Sequence, residues 1–239
     1  MAAAAAHGDG KQIVVFFDEF QEVAHPRHPY GDPEALTRRM RASFQRSPNV
    51  SFLFAGSIEH LMRDLFAPTD RALSQFGSFH ELHPITAEQW REGLLGRFTR
   101  AGIAADAAIC DRIIELSGGH PRSTMLLARC TAQAVREERS ERVDAHRVEL
   151  GLLLALESDR LRHQQQLERI RDIRHGQRVA ERIARGQATY HNLAPKMAAA
   201  AVRGLRDRGI IEPGRARGSW QIVDPLLGRY LASLGPSQP

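Results

Sequence analysis

An apolar run that ends in two carboxylates constrains the fold of this chain more than any other feature. Ile13 to Phe17 is rich in β-branched and aromatic residues, and Asp18 and Glu19 follow it directly. A short, continuous apolar run predicts a strand buried on both faces of a parallel sheet. Ligands of open α/β sheets bind at the carboxyl ends of the strands, so the two carboxylates mark a candidate site. Any buried strand must also end in polar residues, which leaves a purely structural interpretation open.

The next apolar segment is expected to bring a hydroxyl group to the same edge. Val50 to Ala55 predicts a second strand, and Ser57 follows it. Ser57 could also cap the helix that begins at Ile58, and the two roles are compatible. Strands separated by helices of about ten residues predict βαβ units and a parallel sheet. The remaining elements predicted here are helices at 33–45 and 58–66 and an extended segment at 79–82.

From Thr86 onward the pattern is helical. Gly118 and Gly119 end one predicted helix and Pro121 begins the next, as glycine and proline do at helix ends. Near the end of the chain, a helix at 194–208 precedes two short strands, 209–212 and 219–223. Helix, helix, hairpin is the order of a winged helix-turn-helix module. The other helices are expected at about 86–98, 105–116, 121–138, 144–156 and 161–185.

Charge divides the chain into two parts. Residues 1–159 contain 18 Lys and Arg against 22 Asp and Glu, whereas residues 160–220 contain 14 against 5. This asymmetry suggests two domains with different partners, although a basic segment can also be a solvated surface. No apolar run reaches the roughly 18 residues of a membrane helix, and the first residues do not read as a secretory signal. Cys110 and Cys130 lack metal-ligand spacing and are expected to be free core thiols in the cytoplasm.

The order and spacing of several short motifs resemble the archaeal-type branch of the AAA+/STAND P-loop ATPases. These motifs are FFDEFQEV, FLFAGS followed by HLMRDLF, FHELHPI and SGGHPRSTMLLA, with DPLLGRYL near the end. The resemblance covers about residues 12–135 and implies an α/β fold, a partial P-loop NTPase parallel sheet with a helical lid. The resemblance also implies a mostly α winged-helix domain after the lid. The implied parts are a flexible leader (1–11), the partial P-loop ATPase core (12–85), the helical lid (86–158) and the winged helix (159–239).

The resemblance also implies roles for residues of the core, with ATP and Mg²⁺ as cofactors. Asp18 matches the Walker B carboxylate that holds Mg²⁺, and Glu19 matches the one that orients or deprotonates the attacking water. Ser57 matches sensor 1, the polar residue that senses the γ-phosphate. Arg71 falls where relatives present an arginine to a neighbouring subunit's γ-phosphate, which would require an oligomer. The alternative is an ordinary loop arginine.

In the lid, Gly118 to Pro121 matches a motif whose His-Pro corner lies near the nucleotide. The resemblance therefore implies nucleotide contacts for His120 and Pro121. Helix capping explains the glycines and the proline of this motif, but it does not explain His120. Arg122 occupies the position of a sensor 2 arginine, where relatives often have another residue.

The phosphate-binding loop of this family, GxxxxGK[ST], does not occur in the sequence. It is expected several tens of residues before Walker B, and the few residues before Ile13, including Gly8, Gly10 and Lys11, form no such motif. Without the backbone N–H groups and the lysine of that loop, the β- and γ-phosphates have no cradle. We therefore expect a fragment, a truncated product or a degenerate relative that does not hydrolyse ATP independently.

The predicted winged helix combines an apolar face with a basic one. Met197, Val202 and Leu205 are expected to face a core. Exposed basic residues would suit phosphate contacts with DNA, but no set of Asn or Gln side chains suggests base readout. The same surface could instead bind a protein or pack within the chain. A third interpretation is an unstable fragment with an exposed sheet edge. The candidate DNA-binding residues are Lys196, Arg203, Arg206, Arg215 and Arg217.

Overall fold

The computed structural model of the chain describes residues 12–24, 32–189, 193–214 and 216–234. It divides into two units, Met1–Glu81 and Leu82–Pro239. The leader expected at 1–11 lies outside the described residues. Within the described ranges, no helix is long and apolar enough to cross a membrane.

The first unit is built on two parallel strands, as the sequence predicts. Strand β1 (Ile13–Phe17) pairs with β2 (Val50–Phe54) in register, with Phe17 opposite Phe54. Helix α1 (Pro33–Gln45) connects them, and Asp32 caps it by accepting the N–H groups of the first turn. A 3₁₀ helix, Phe20–Ala24, follows β1, and helix α2, Glu59–Phe66, follows β2.

Only one face of this sheet is packed within the described residues. Phe17 stacks on Phe54 with ring centroids 5.5 Å apart. The opposite face exposes Val14, Phe16 and Leu53 by 68%, 56% and 56%. The prediction of a strand buried on both faces is therefore wrong for the described residues, because the helices of this unit cover one side. The predicted extended segment at 79–82 forms no strand. The core of the packed side consists of Phe20, Met40, Phe44, Met62, Leu65 and Leu73.

The second unit begins with four helices that share one core. Thr86 starts the first with a capping box, because its hydroxyl accepts the N–H of Gln89 while the Gln89 side chain accepts the N–H of Thr86. Leu94, Ile113 and Leu127 lie at the centre of the core. Both cysteines are buried free thiols, as predicted. The helices are α3 (Ala87–Arg100), α4 (Ala107–Ser117), α5 (Pro121–Glu137) and α6 (Ala145–Ser158).

The rest of the second unit packs around a separate cluster of buried residues. The predicted long helix at 161–185 is two helices, because His175 adopts a left-handed backbone conformation (φ 63°) between them. The predicted hairpin is present and antiparallel. Leu226 packs with the four-helix core, whereas Leu227 packs with the second cluster, so the last helix joins both cores. The elements are α7 (Arg160–Arg171), α8 (Gly176–Ala184), α9 (Pro195–Asp207), β3 (Ile211–Pro213), β4 (Trp220–Ile222) and α10 (Pro225–Ser233).

One residue of α9 departs from its predicted orientation. Val202 and Leu205 are buried as expected, but Met197 is 42% exposed. Ala198 and Ala201 fill the buried face with them. The buried positions follow the spacing of one helical face, and residue 197 lies about 100° away from residue 198 around the helix.

Candidate functional site

The parallel register brings the ends of β1 and β2 together. The Ala55 N–H donates to the Phe17 carbonyl, and the Phe20 N–H donates to the Ala55 carbonyl, each at 2.8 Å. Just beyond these bonds, Ser57 Oγ donates to Glu19 Oε2 at 2.8 Å. The hydroxyl that follows the second strand is thus hydrogen-bonded to the carboxylate that follows the first. Helix α2 has no side-chain cap, so its N-terminus is not the partner of the Ser57 hydroxyl.

The two carboxylates occupy a tight turn after β1. Asp18 Oδ1 accepts the N–H of Glu19 at 3.0 Å. Glu19 itself has a φ of 48°, in the left-handed region, which costs a residue other than glycine about 1–2 kcal/mol. Both residues are exposed to solvent. Backbone strain of this kind is concentrated at functional sites, where the surrounding contacts maintain it.

Two neutral donors hold the carboxylate of Glu19. Gln21 Nε2 and Ser57 Oγ both donate to its Oε2 atom. These hydrogen bonds, that of Gln21 first, lower the pKa of Glu19. A hydrogen bond to the charged form of a carboxylate stabilises that form, so Glu19 acts at neutral pH as an acceptor only.

Asp18 has the chemistry of a Mg²⁺ ligand that works together with phosphates. Its Oδ2 atom has no hydrogen-bond partner among the described residues. Protein sites often hold Mg²⁺ through one or two carboxylates, and waters and substrate phosphates complete the octahedron. The part of the chain that the structure describes contains no cluster of three His, Cys, Asp or Glu side chains that could hold a metal ion by itself. Asp18 therefore fits Mg²⁺ only in the presence of further oxygen ligands.

Arg71 does not join this group in the structure. It lies in the loop after α2, half exposed, and its Nη1 atom is 3.2 Å from Glu34 Oε2 on α1. Arg41, also on α1, donates to the carbonyls of Ala72 and Ser74 and so anchors the same loop. The loop is thus attached to α1 at two points, and Arg71 is presented on its surface.

The glycine–proline corner of the second unit forms as helix-capping rules predict. Gly118 ends α4 with a left-handed φ of 62°, and Pro121 is the first residue of α5. His120 is the N-cap of α5, and its Nδ1 atom lies 3.1 Å from Ser123 Oγ. Trp90 Nε1 donates to the Gly119 carbonyl at 3.0 Å and closes the corner from the α3 side.

Arg122 belongs to an ion-pair network at the start of α7. Its guanidinium donates two hydrogen bonds to the carboxylate of Asp159, one of them 2.8 Å long. Ser123 Oγ and Arg162 Nη1 each donate to Asp224 at 2.7 Å. The bond from Arg122 lowers the pKa of Asp159. Burial raises the pKa of Asp224, but the bonds from Arg162 and Ser123 outweigh burial and leave that pKa lowered.

Sequence reasoning missed the acidic and aromatic partners in this region. Asp224 could have been found, because Asp followed by Pro is the pattern of a capped helix start. Asp159 and His163 carry no comparable signal. His163 is fully buried and stacks on Tyr230 with ring centroids 5.3 Å apart, and burial lowers its pKa. Gln21 was also missed, although it lies two residues after Glu19.

The basic residues predicted to bind DNA are exposed where they are described. Lys196, Arg203 and Arg206 lie on the solvent side of α9, and Arg217 lies between β3 and β4. None of these four forms an ion pair with another described residue. Arg215 lies outside the described residues.

The fold is similar to that of an ATPase. Over 92% of its length the chain matches the Walker-type ATPase PABY2304 of Pyrococcus abyssi, with a TM-score of 0.69 and 15% identity. It spans 63% of the length of that protein. The RuvB Holliday junction branch migration motor of Thermotoga maritima matches 93% of the chain at 16% identity, with a TM-score of 0.47 and 70% of RuvB covered. No protein-family model and no curated protein matches the sequence. The chain thus shares the fold of the part of this Walker-type ATPase that it matches.

Proposed function

We propose that this chain is the ATP-binding part of an AAA+/STAND-type switch that responds to nucleotide. The observation that supports the proposal most directly is the 2.8 Å hydrogen bond from Ser57 Oγ to Glu19 Oε2. It joins the ends of two parallel strands into one polar cluster beside Asp18, at the edge where ligands of open α/β sheets bind. In this role Asp18 holds Mg²⁺, Glu19 orients the attacking water and Ser57 senses the γ-phosphate.

Each of these residues has a distinct physical task. Glu19 is kept ionised by its donors, so it can accept a hydrogen bond from water and hold it in line with the γ-phosphorus. Asp18 would supply one carboxylate oxygen to the ion. Mg²⁺ would neutralise negative charge that develops on the phosphates. His120, Pro121 and Arg122 would contact the nucleotide from the lid, and Arg71 would serve a neighbouring subunit.

The switch would work through contacts that depend on the γ-phosphate. A ligand shifts a conformational equilibrium only by its difference in affinity for the two states. Ser57 and the lid residues would provide that difference, and the lid would transmit it to the C-terminal winged helix that we propose for residues 159–239. We do not expect the 239 residues to hydrolyse ATP alone, because they contain no GxxxxGK[ST] sequence.

Binding can be tested by following backbone amide resonances while Mg²⁺ and ATP are added up to millimolar concentration. We expect the signals of Asp18 to Gln21 and of Gly56 to Ile58 to shift, because phosphates and the ion would lie against these amides. Asp18→Asn should weaken the Mg²⁺-dependent shifts. Asp64→Asn is the matched control, since Asp64 is an exposed aspartate of the same unit. Shifts that avoid both strand ends would contradict the proposed site.

Hydrolysis is a separate measurement on the same protein. We expect no phosphate release above background from either the unmodified chain or Glu19→Gln. If the unmodified chain releases phosphate and Glu19→Gln does not, the role of Glu19 stands. The expectation that hydrolysis requires the GxxxxGK[ST] loop would then be wrong. Release that survives Glu19→Gln would refute the role of Glu19.

A second candidate is a DNA-binding regulator without enzymatic activity. The exposure of Lys196, Arg203, Arg206 and Arg217, none of them in an ion pair with another described residue, favours it. Non-specific DNA binding should weaken steeply with salt, and the Arg203→Ala/Arg206→Ala variant should weaken it and flatten the salt dependence. Arg97→Ala/Arg100→Ala, with the same spacing on α3, is the control. Absence of DNA binding would leave a protein partner or an intramolecular role for this surface.

A further inference from the structure

Gln21 is a buried polar residue that the proposed function does not use. Its side chain is only 2% exposed, and it lies in the 3₁₀ helix directly after Glu19. Buried glutamine is uncommon and needs hydrogen-bond partners. Gln21 has one such partner among the described residues, the Oε2 atom of Glu19, to which its Nε2 atom donates. If the amide were flipped, Gln21 Oε1 would face Glu19 Oε2, and two acceptor oxygens would repel each other. Gln21 Nε2 is therefore assigned as the atom that faces Glu19.

The other half of the amide is held in place without a hydrogen bond. Gln21 Oε1 is buried and has no partner among the described residues. A Cβ atom built on Gly56 would come within 2.3 Å of this oxygen and within 2.6 Å of the Met62 side chain. Glycine at position 56 therefore leaves the space that the amide fills. An unpaired buried acceptor is unfavourable, and the hydrogen bond at the Nε2 end is the polar contact that offsets part of this cost.

The side chains of Gln21 and Ser57 hold the Glu19 carboxylate from two sides. Gln21 approaches from the 3₁₀ helix and Ser57 from the end of β2, and both donate to Oε2. Both of these side-chain bonds end on Oε2, and the Ser57 backbone also acts on the carboxylate to lower its pKa. Two side-chain donors on one oxygen restrict rotation of the carboxylate.

We propose that Gln21 is a positioning residue for Glu19, which fixes the carboxylate so that Oε1 is presented to the attacking water, with Gly56 providing the room for the Gln21 amide. This inference rests on the proposed role of Glu19 in an ATP site. It adds that the orientation of Glu19 depends on a second donor besides sensor 1. A carboxylate held within a narrow range of orientations loses less entropy when it orients a water molecule.

The test measures the order of the Glu19 side chain at a fixed pH of about 7.5, where its carboxylate is ionised. The probes are the ¹³C shift of the Glu19 carboxylate and ¹³C relaxation of its methylene groups, which Glu19→Gln assigns. We expect Gln21→Met, which keeps the apolar length but removes the donor, to lower the methylene order parameters and move the carboxylate shift. A residue that only filled the core would change neither.

Gly56→Ala gives an independent perturbation that keeps Gln21 in the chain. The added methyl group should displace the amide and loosen Glu19 in the same way, so the inference remains testable if Gln21→Met fails to fold. Gly77→Ala is the matched control, because nothing lies within 4 Å of a Cβ built there and Gly77 belongs to the same unit. It should leave Glu19 unchanged.

The outcomes separate the inference from the proposed function. Loosening of Glu19 in both Gln21→Met and Gly56→Ala supports the inference. Unchanged order in both, or loosening by Ser57→Ala alone, overturns it. No nucleotide is present in this measurement, so a failure to bind Mg²⁺ and ATP refutes the proposed function without altering the result for Gln21.

Discussion

At the scale of single residues, hydrogen-bond partners decide what each candidate side chain can do. The hydrogen bonds from Gln21 and then from Ser57 lower the pKa of Glu19, and both end on its Oε2 atom. Asp159 holds Arg122 in place. Its carboxylate is only 6% exposed, and its two oxygens accept two hydrogen bonds from the guanidinium. Arg122 can therefore reach a phosphate only if it leaves Asp159, and that carboxylate would remain buried with Arg162 3.9 Å away.

The Arg122–Asp159 pair makes a prediction about stability. Arg122→Ala should lower the free energy of unfolding by about 1–3 kcal/mol, because it leaves a buried carboxylate without its main donor. Arg129→Ala, at an exposed position of the same helix, should change it by less than about 0.5 kcal/mol. Chemical denaturation of both variants checks this, and equal effects would contradict it.

The same pair sets the sign of a pH dependence. The folded-state pKa of Asp159 lies below its unfolded value, so its contribution to stability is present above about pH 4 and is lost as the pH falls through the lowered pKa. Asp159→Asn should flatten the loss of stability below about pH 4. Acid titration of the unfolding free energy measures it, and an unchanged slope would show that Asp159 contributes no such linkage.

At the scale of elements, the corner between α4 and α5 is also a packing surface for α10. A Cβ built on Gly118 would lie 2.9 Å from Pro225 Cγ. Ser123 donates to Asp224, the N-cap of α10, and Arg229 Nε donates to the Leu116 carbonyl. The corner at Gly118 to Pro121 therefore also packs against α10. This close packing, together with helix capping, accounts for glycine at position 118.

Two glycines with the same backbone conformation separate these effects. Gly118→Ala and Gly102→Ala both place a side chain at a positive φ, 62° and 70°, which costs about 1–2 kcal/mol. Only Gly118→Ala also meets Pro225, since nothing lies within 4 Å of a Cβ on Gly102. We expect Gly118→Ala to be the more destabilising of the two in thermal unfolding. Equal losses of stability in the two variants would show that α10 can move away from position 118 without a loss of stability.

At the scale of the whole molecule, the chain separates between residues 81 and 82 into units with their own cores. The segment around this boundary is irregular, and Leu82 is 96% exposed. Exposed irregular segments are preferred sites of proteolysis. The division predicts that each unit unfolds with a stability of its own.

Brief digestion with chymotrypsin should therefore cut at Phe79 or Leu82 before it cuts within the cores. Leu82→Asp should slow cleavage at that position, and Leu94→Asp, at a fully buried position, should instead open the second unit to digestion. Mass spectrometry of the first fragments reads out the order. Early cleavage inside α3 to α6 in the unmodified chain would contradict the division.

Several local features of this protein follow from the sequence alone. The apolar runs of β1 and β2, the Asp32–Pro33 helix start, the Thr86 capping box and the Gly118–Pro121 corner follow from short-range preferences, and the structure has each of them. Ser57 and Glu19 lie together because parallel strands that alternate with helices leave their carboxyl ends at one edge.

The tertiary structure alone decided which faces are covered and which polar groups are paired. Val14 and Phe16 have the side chains of buried positions but are exposed, because burial depends on what packs against a strand and not on the strand itself. Asp159 and Asp224 acquire their roles from partners that are distant in the sequence but adjacent in the fold. Gln21 acquires its role from the carboxylate of Glu19, two residues before it. Local propensity acts over a few residues, whereas the desolvation and pairing of a side chain depend on every element that reaches it.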